Sequence, residues 1–319
     1  MSLLETDNLY VEYTSKKGIT GKEETIQAVN GVSLDVRRGE ILSLAGESGC
    51  GKSTLAKAIM KLVRAKSGDI LFKGSNIFHV KSKSEIKEFY KNIQMIFQNP
   101  YSSLNPKMKI GQILSEPLEI NMNFSKQEIN AIVKDKVEQV GLDSTVLERY
   151  PHEFSGGQRQ RIAIAKALVL EPELIIADEP VSALDVSIQA QIINLIKDLR
   201  EKLNITFLFI SHDLSVIRYI SDRIAVMYLG EIVELGLTEE IFNSPKHPYT
   251  SALLSSVPNI NGQSSQPVFL KGELPSPKNL PHGCKFHTRC PYAMEKCKTQ
   301  VPAEKFFSDF HTCKCFLYP

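Results

Sequence analysis

The chain has 319 residues, of which 42% are apolar and 23% charged, and its net charge is +2. A chain this apolar with so little net charge can bury a core, which excludes disorder, and 18 Gly with 16 Pro exclude collagen-like and low-complexity architectures. The length lies near the upper limit of a single core, so one large domain with a smaller appendage is expected.

Tyr10–Val36 reads as strands broken by a polar loop at Ser15–Glu24. Ile41–Ala45 reads as a short buried strand that runs into a Gly-rich turn and then a helix from about Lys52 to Leu62. Ile93–Phe97 is a further strand, and from Pro100 to Tyr150 the pattern becomes helical with Pro breaks. Gly157–Leu170 reads as a helix, Leu174–Ala177 as a buried strand, and Ile188, Ile192, Leu195, Ile196, Leu199 and Leu203 mark an amphipathic helix. Thr206–Ile210 and Ile224–Tyr228 are β-rich. This alternation predicts an α/β fold: a mostly parallel sheet covered on both faces, with a helical subdomain at about 100–170. After Phe242 the composition shifts toward Pro, Ser and Asn, so the expected domains are 1–242 and a small Cys-rich extension at 243–319.

No apolar run approaches the roughly 20 residues that span a bilayer. The N-terminus carries Glu5, Asp7 and Glu12 and lacks the basic start of a signal peptide. A soluble, cytoplasmic protein is expected. No basic block and no basic stripe interleaved with aromatics points to nucleic acid.

Three motifs carry chemistry. Gly46-Glu47-Ser48-Gly49-Cys50-Gly51-Lys52-Ser53-Thr54 matches G-x-x-x-x-G-K-[ST] between a strand and a helix, the context a phosphate loop requires. Its backbone N–H groups and the helix N-terminus suit phosphates, Lys52 the β- and γ-phosphates, and the Ser53 hydroxyl Mg²⁺. Leu174-Ile175-Ile176-Ala177-Asp178-Glu179 is an apolar strand ending in two acids. Asp178 can hold Mg²⁺ and Glu179 can take a proton from the attacking water. By itself that run is weak evidence, since a strand followed by a solvated acidic turn gives the same pattern. Ser155-Gly156-Gly157-Gln158 reads as a capped helix start whose N–H groups suit an anion.

Together these motifs resemble the ATP-binding subunits of ABC transporters, over nearly the whole chain. The resemblance implies further roles: Gln98 for the loop linking Mg²⁺ and the attacking water to the membrane partner, and Ser182-Ala183-Leu184-Asp185 for coupling across a dimer. It also implies His212 as the switch histidine at the γ-phosphate and Tyr13 as the aromatic on adenine, with Tyr10 close by. In such a family two subunits face head to tail, and Ser155 and Gly157 of one close over ATP held by the other.

Phe97–Pro106, Tyr150-Pro151-His152-Glu153-Phe154, Pro245–Leu254 and Gly272–Pro277 followed by Gly283-Cys284 resemble the di- and oligopeptide importer group, and the polar insert Lys16–Glu24 its second ATPase subunit. The resemblance implies a heterodimer with a homologous ATPase, two membrane permeases, an extracellular peptide-binding protein, and a place on the inner face of the membrane. Importers of nickel or other small solutes share much of the pattern. A soluble ABC ATPase acting on nucleic acid or ribosomes is the reading from another class. It fits poorly, because 103 residues between Gly51 and Ser155 leave no room for a long coiled coil.

Five of the six cysteines, Cys284, Cys290, Cys297, Cys313 and Cys315, fall near the C-terminus. In a reducing compartment such a group reads as a metal site before disulfides. The gaps are not the C-x2-C pairs of common zinc modules. The resemblance implies a [4Fe–4S] cluster on Cys284, Cys290, Cys297 and Cys315, with Cys313 as an alternative. Free thiols, or zinc with His282, His287 or His311, are the competing readings. Cys50, at a variable position of the phosphate loop, is given no redox role.

Overall fold

The structure, a computed structural model, describes residues 2–16, 23–99, 103–255 and 272–318. Most of the expected polar insert, and Pro100, Tyr101 and Ser102, lie outside them. Two compact units form. One comprises Arg37–Glu40 and Ile77–Ile210, the other Ser2–Val36, Ile41–Asn76 and Ser211–Pro319.

In the second unit the strands Ser2–Lys16 and Ser67–Phe72 pair antiparallel, Leu4 opposite Phe72 and Thr6 opposite Ile70. They form a sheet with Glu23–Arg37 on one side and Ser75–Asn76 on the other. The first strand begins at Ser2 rather than near Tyr10. Leu4 and Thr6 are buried while Glu5 and Asp7 are exposed, so the acids are the outward half of an alternating strand.

Ile41–Ala45 is buried along its whole length and runs parallel to Arg223–Tyr228, with Leu44 opposite Ala225. Arg223–Tyr228 turns back into Glu231–Leu237 through Leu229 and Gly230, both at positive φ, the conformation a two-residue hairpin needs. A C-terminal hairpin, Glu304–Phe306 and Thr312–Lys314, then adds to this sheet, Glu234 opposite Cys313. The sequence pattern does not signal it, because strands of three residues are too short for a two-residue periodicity to register. A core of Ile217, Ile224, Val226, Tyr228, Tyr249 and Phe286 joins the sheet to the C-terminal extension. The rings of Tyr228 and Tyr249 have centroids 4.7 Å apart, and Phe286 lies 5.2 Å from Tyr228.

In the first unit Leu174–Asp178 lies between two parallel neighbours, Ile93–Ile96 and Thr206–Ile210. Parallel strands buried on both faces read as continuous apolar runs, as Leu174–Ala177 and Phe207–Ile210 do, while half-buried Gln94 interrupts the third. The helices Ile110–Asn121, Lys126–Gln139 and Gly156–Leu168 pack together as the helical part of this unit.

Candidate nucleotide site and cysteine pocket

The phosphate loop leaves the strand Ile41–Ala45 and enters the helix Lys52–Ile59. Two of its glycines are fixed by close backbone approach. A Cβ on Gly46 (φ +148°) would stand 2.3 Å from the Met227 carbonyl oxygen, and one on Gly51 (φ +111°) 2.1 Å from that of Ala28. The helix has no acidic residue in its first turn, so its positive end is left for an anion. Lys52 is buried and folds back over the loop, Nζ donating to the carbonyls of Gly46 (2.8 Å) and Glu47 (3.0 Å). Thr54 accepts from the Tyr13 hydroxyl at 3.5 Å, which brings Tyr13 to the loop's helix. Tyr10 instead lies beneath Gly31. Cys50 is buried, and burial pushes its thiol up, with Lys52 acting the other way.

His212 is exposed, between buried Ser211 and half-buried Asp213. The Asp213 carboxylate accepts from the N–H groups of Ser215 and Val216 and caps the helix Leu214–Ile220.

In the first unit, Asp178 ends its strand almost fully buried. Glu179 follows at φ +47°, a left-handed backbone uncommon for a residue with a Cβ, and its N–H donates to Ile210 O at 2.9 Å. Gln98 Nε2 donates to Glu179 Oε2 at 2.9 Å, joining two residues 81 apart in sequence. At Ser155–Gln158, Ser155 Oγ accepts from the Gln158 N–H while Gln158 Oε1 accepts from the Ser155 N–H, a reciprocal capping box. Gly157 is buried, and a Cβ there would come within 2.5 Å of Ile188 Cγ2. Asp185 caps the helix Val186–Leu203, and the Ile188 N–H it accepts holds its carboxyl below the usual carboxylate range.

In the extension, Cys284, Cys290, Cys297 and Cys315 line one pocket, walled by Phe286, Tyr292, Met294, Phe316 and other residues. Gly283 (φ +63°) permits this, since a Cβ there would strike the Cys297 carbonyl oxygen at 2.5 Å, where the Cys284 N–H donates at 2.9 Å. Burial pushes the Cys284 thiol up to about 11 and raises those of Cys290 and Cys315, with neighbouring cysteines adding to each. Cys313 is buried but is not among the residues lining that pocket. Among the described residues no group of three or more His, Cys, Asp or Glu is disposed to hold a metal ion. His311 Nε2 is engaged by Glu234 at 2.8 Å and His287 Nδ1 lies 2.9 Å from Cys284 O, so in each ring the other nitrogen is the one that could face a metal.

Sequence reasoning missed two residues of the extension that reach the phosphate loop. The Arg289 guanidinium pairs with both carboxylate oxygens of Glu47 (2.9 and 3.1 Å), and the Tyr249 hydroxyl accepts from the Glu47 N–H (2.9 Å). No local spacing could have signalled contacts across more than 200 positions.

The ABC transporter family model matches residues 29–182, and the model of the oligopeptide/dipeptide transporter C-terminal region matches 233–297. The chain is 53% identical to the oligopeptide transport ATP-binding protein AppF of Bacillus subtilis, over 92% of this chain and 90% of that protein. It is 48% identical to the dipeptide transport ATP-binding protein DppF of Haemophilus influenzae, over 98% and 96%. Among solved structures it is similar to the dimeric ABC cassette MJ0796 bound to ADP and Pi (TM-score 0.65, 28% identity, 74% of this chain and 98% of that one). It is also similar to cbiO1 of Clostridium perfringens, part of the complex cbiONQ (TM-score 0.65, 27% identity, 76% and 91%).

Proposed function

Because the chain belongs to the ATP-binding proteins of oligopeptide and dipeptide ABC transporters, we propose that Glu179 is the base of its ATP hydrolysis and that this hydrolysis drives peptide import from within a heterodimer. Binding of ATP with Mg²⁺, and coupling of its hydrolysis to transport, come with the family. The observation that carries the assignment is the Gln98–Glu179 hydrogen bond, which fixes the carboxylate's orientation from an independent strand end.

The roles follow from each residue's surroundings. Lys52, already bonded to two loop carbonyls, exchanges them for phosphate oxygens as nucleotide enters. The loop's N–H groups and the helix start receive the β-phosphate, and Tyr13 the base. Asp178 and Ser53 would hold Mg²⁺, a hard cation that takes oxygen ligands, and the ion when bound offsets phosphate charge. Glu179 accepts a proton from the attacking water, Gln98 orients it, and His212 meets the γ-phosphate. Ser155, Gly156, Gly157 and Gln158 close over the ATP of a second, non-identical ATPase subunit. Two permeases and an extracellular peptide-binding protein complete the importer, with this subunit peripheral on the cytoplasmic face of the membrane. No helix among the described residues is long and apolar enough to cross it.

In the extension at 243–319, Cys284, Cys290, Cys297 and Cys315 would hold a [4Fe–4S] cluster. Four thiols round one apolar-walled pocket suit iron–sulfur ligation. The cluster would staple a region of short elements.

The test of the base is Glu179→Gln in the assembled transporter. ATP is expected to bind and hold the ATPase dimer closed, while turnover and peptide uptake stop. Hydrolysis at the parental rate overturns the assignment. The cluster is tested by anaerobic purification with an absorption spectrum and iron assay; a colourless protein with one zinc overturns it.

A further inference from the structure

Glu47 puts a carboxylate into the loop that receives a polyanion, an arrangement that opposes binding unless the charge is met. The structure meets it from the C-terminal extension. Arg289, whose side chain is 8% exposed, forks onto both Glu47 oxygens, whose own side chain is 25% exposed. A bidentate, mostly desolvated guanidinium–carboxylate pair is the strong and directional form of this contact. Every polar handle of Glu47 is engaged: the carboxylate by Arg289, the N–H by the Tyr249 hydroxyl, and the carbonyl by Lys52.

Both anchoring residues stand on built supports. Tyr249 is fully buried against Tyr228 and Phe286, and its own N–H donates to His247 Nδ1. Arg289 sits in a tight turn, its N–H and that of Cys290 donating to Phe286 O.

We propose that Arg289 and Tyr249 are positioning residues of the phosphate loop: Arg289 neutralises and orients Glu47, Tyr249 fixes the loop's peptide, and the extension thereby sets nucleotide affinity. Both act through Glu47, whatever the four cysteines bind.

The experiment is equilibrium titration of the full chain with a fluorescent ATP analogue and Mg²⁺, alongside KM and kcat of the assembled transporter. Arg289→Ala leaves Glu47 uncompensated and is expected to weaken binding about tenfold, with the loss falling mainly on KM. Arg289→Lys keeps the charge but not the fork and should fall between. Glu47→Gln added to Arg289→Ala removes the offending charge and should restore affinity to within about threefold of the parent. Tyr249→Phe should weaken binding by about threefold, the loss of one neutral hydrogen bond. Parental affinity in Arg289→Ala overturns the proposal. So does failure of Glu47→Gln to rescue it, because a general loosening of the extension would lower the active fraction and would not respond to that second change.

Discussion

Substituting Gly157 separates packing from nucleotide contact at Ser155–Gln158. A Cβ at this position would approach Ile188 Cγ2 to 2.5 Å, more than 1 Å inside ordinary contact. Gly157 lies in the first turn of the helix Gly156–Leu168, where Ala would otherwise be favoured by about 0.5–1 kcal/mol. Overpacking costs about 1–3 kcal/mol, so Gly157→Ala should destabilise the protein by about 1–2 kcal/mol net. In an Ile188→Ala background the Cγ2 atom is gone and the same change should be neutral or stabilising by about 0.5 kcal/mol, giving a coupling energy of about 2 kcal/mol. Urea midpoints of the four variants measure it. ATPase assays on the assembled transporter then read the second role: if the double variant is as stable as Ile188→Ala yet inactive, the added methyl blocks approach of the partner's nucleotide. A Gly157→Ala protein with the parental urea midpoint would refute the packing role.

Other perturbations test the extension. Glu234 is fully buried and accepts from the N–H groups of Lys246 (2.6 Å) and His247 (2.9 Å) and from His311 Nε2 (2.8 Å). Glu234→Ala should cost about 3–5 kcal/mol and speed hydrogen exchange at residues 246 and 247. Burial lowers the His247 pKa from 6.5 to about 4. Its stability contribution is thus present above about pH 6.5 and lost as pH falls toward 4, up to about 3 kcal/mol. His247→Asn, which keeps an acceptor for the Tyr249 N–H, should flatten stability between pH 7 and 4.5, and an unchanged pH slope would count against the assignment. Cys315→Ser should lose the iron that Cys313→Ser retains, as measured per chain after anaerobic purification; the reverse pattern would make Cys313 the ligand.

The chain's own order of residues determined the nucleotide machinery. Phosphate loops, helix caps and buried parallel strands are local solutions, written in runs such as Gly46–Thr54, Leu174–Glu179 and Ser155–Gln158, so their chemistry is legible before folding. The contacts that complete it are not local. Gln98 meets Glu179 across 81 positions. Gly157 owes its lack of a side chain partly to Ile188. The strands Glu304–Phe306 and Thr312–Lys314 exist because Glu231–Leu237 offers them an edge, and Arg289 finds Glu47 because the aromatic core of Tyr228, Tyr249 and Phe286 brings the extension there. Hydrophobic burial is indifferent to sequence separation and sets these pairs side by side; hydrogen bonds and charge then select among residues that no spacing rule connects.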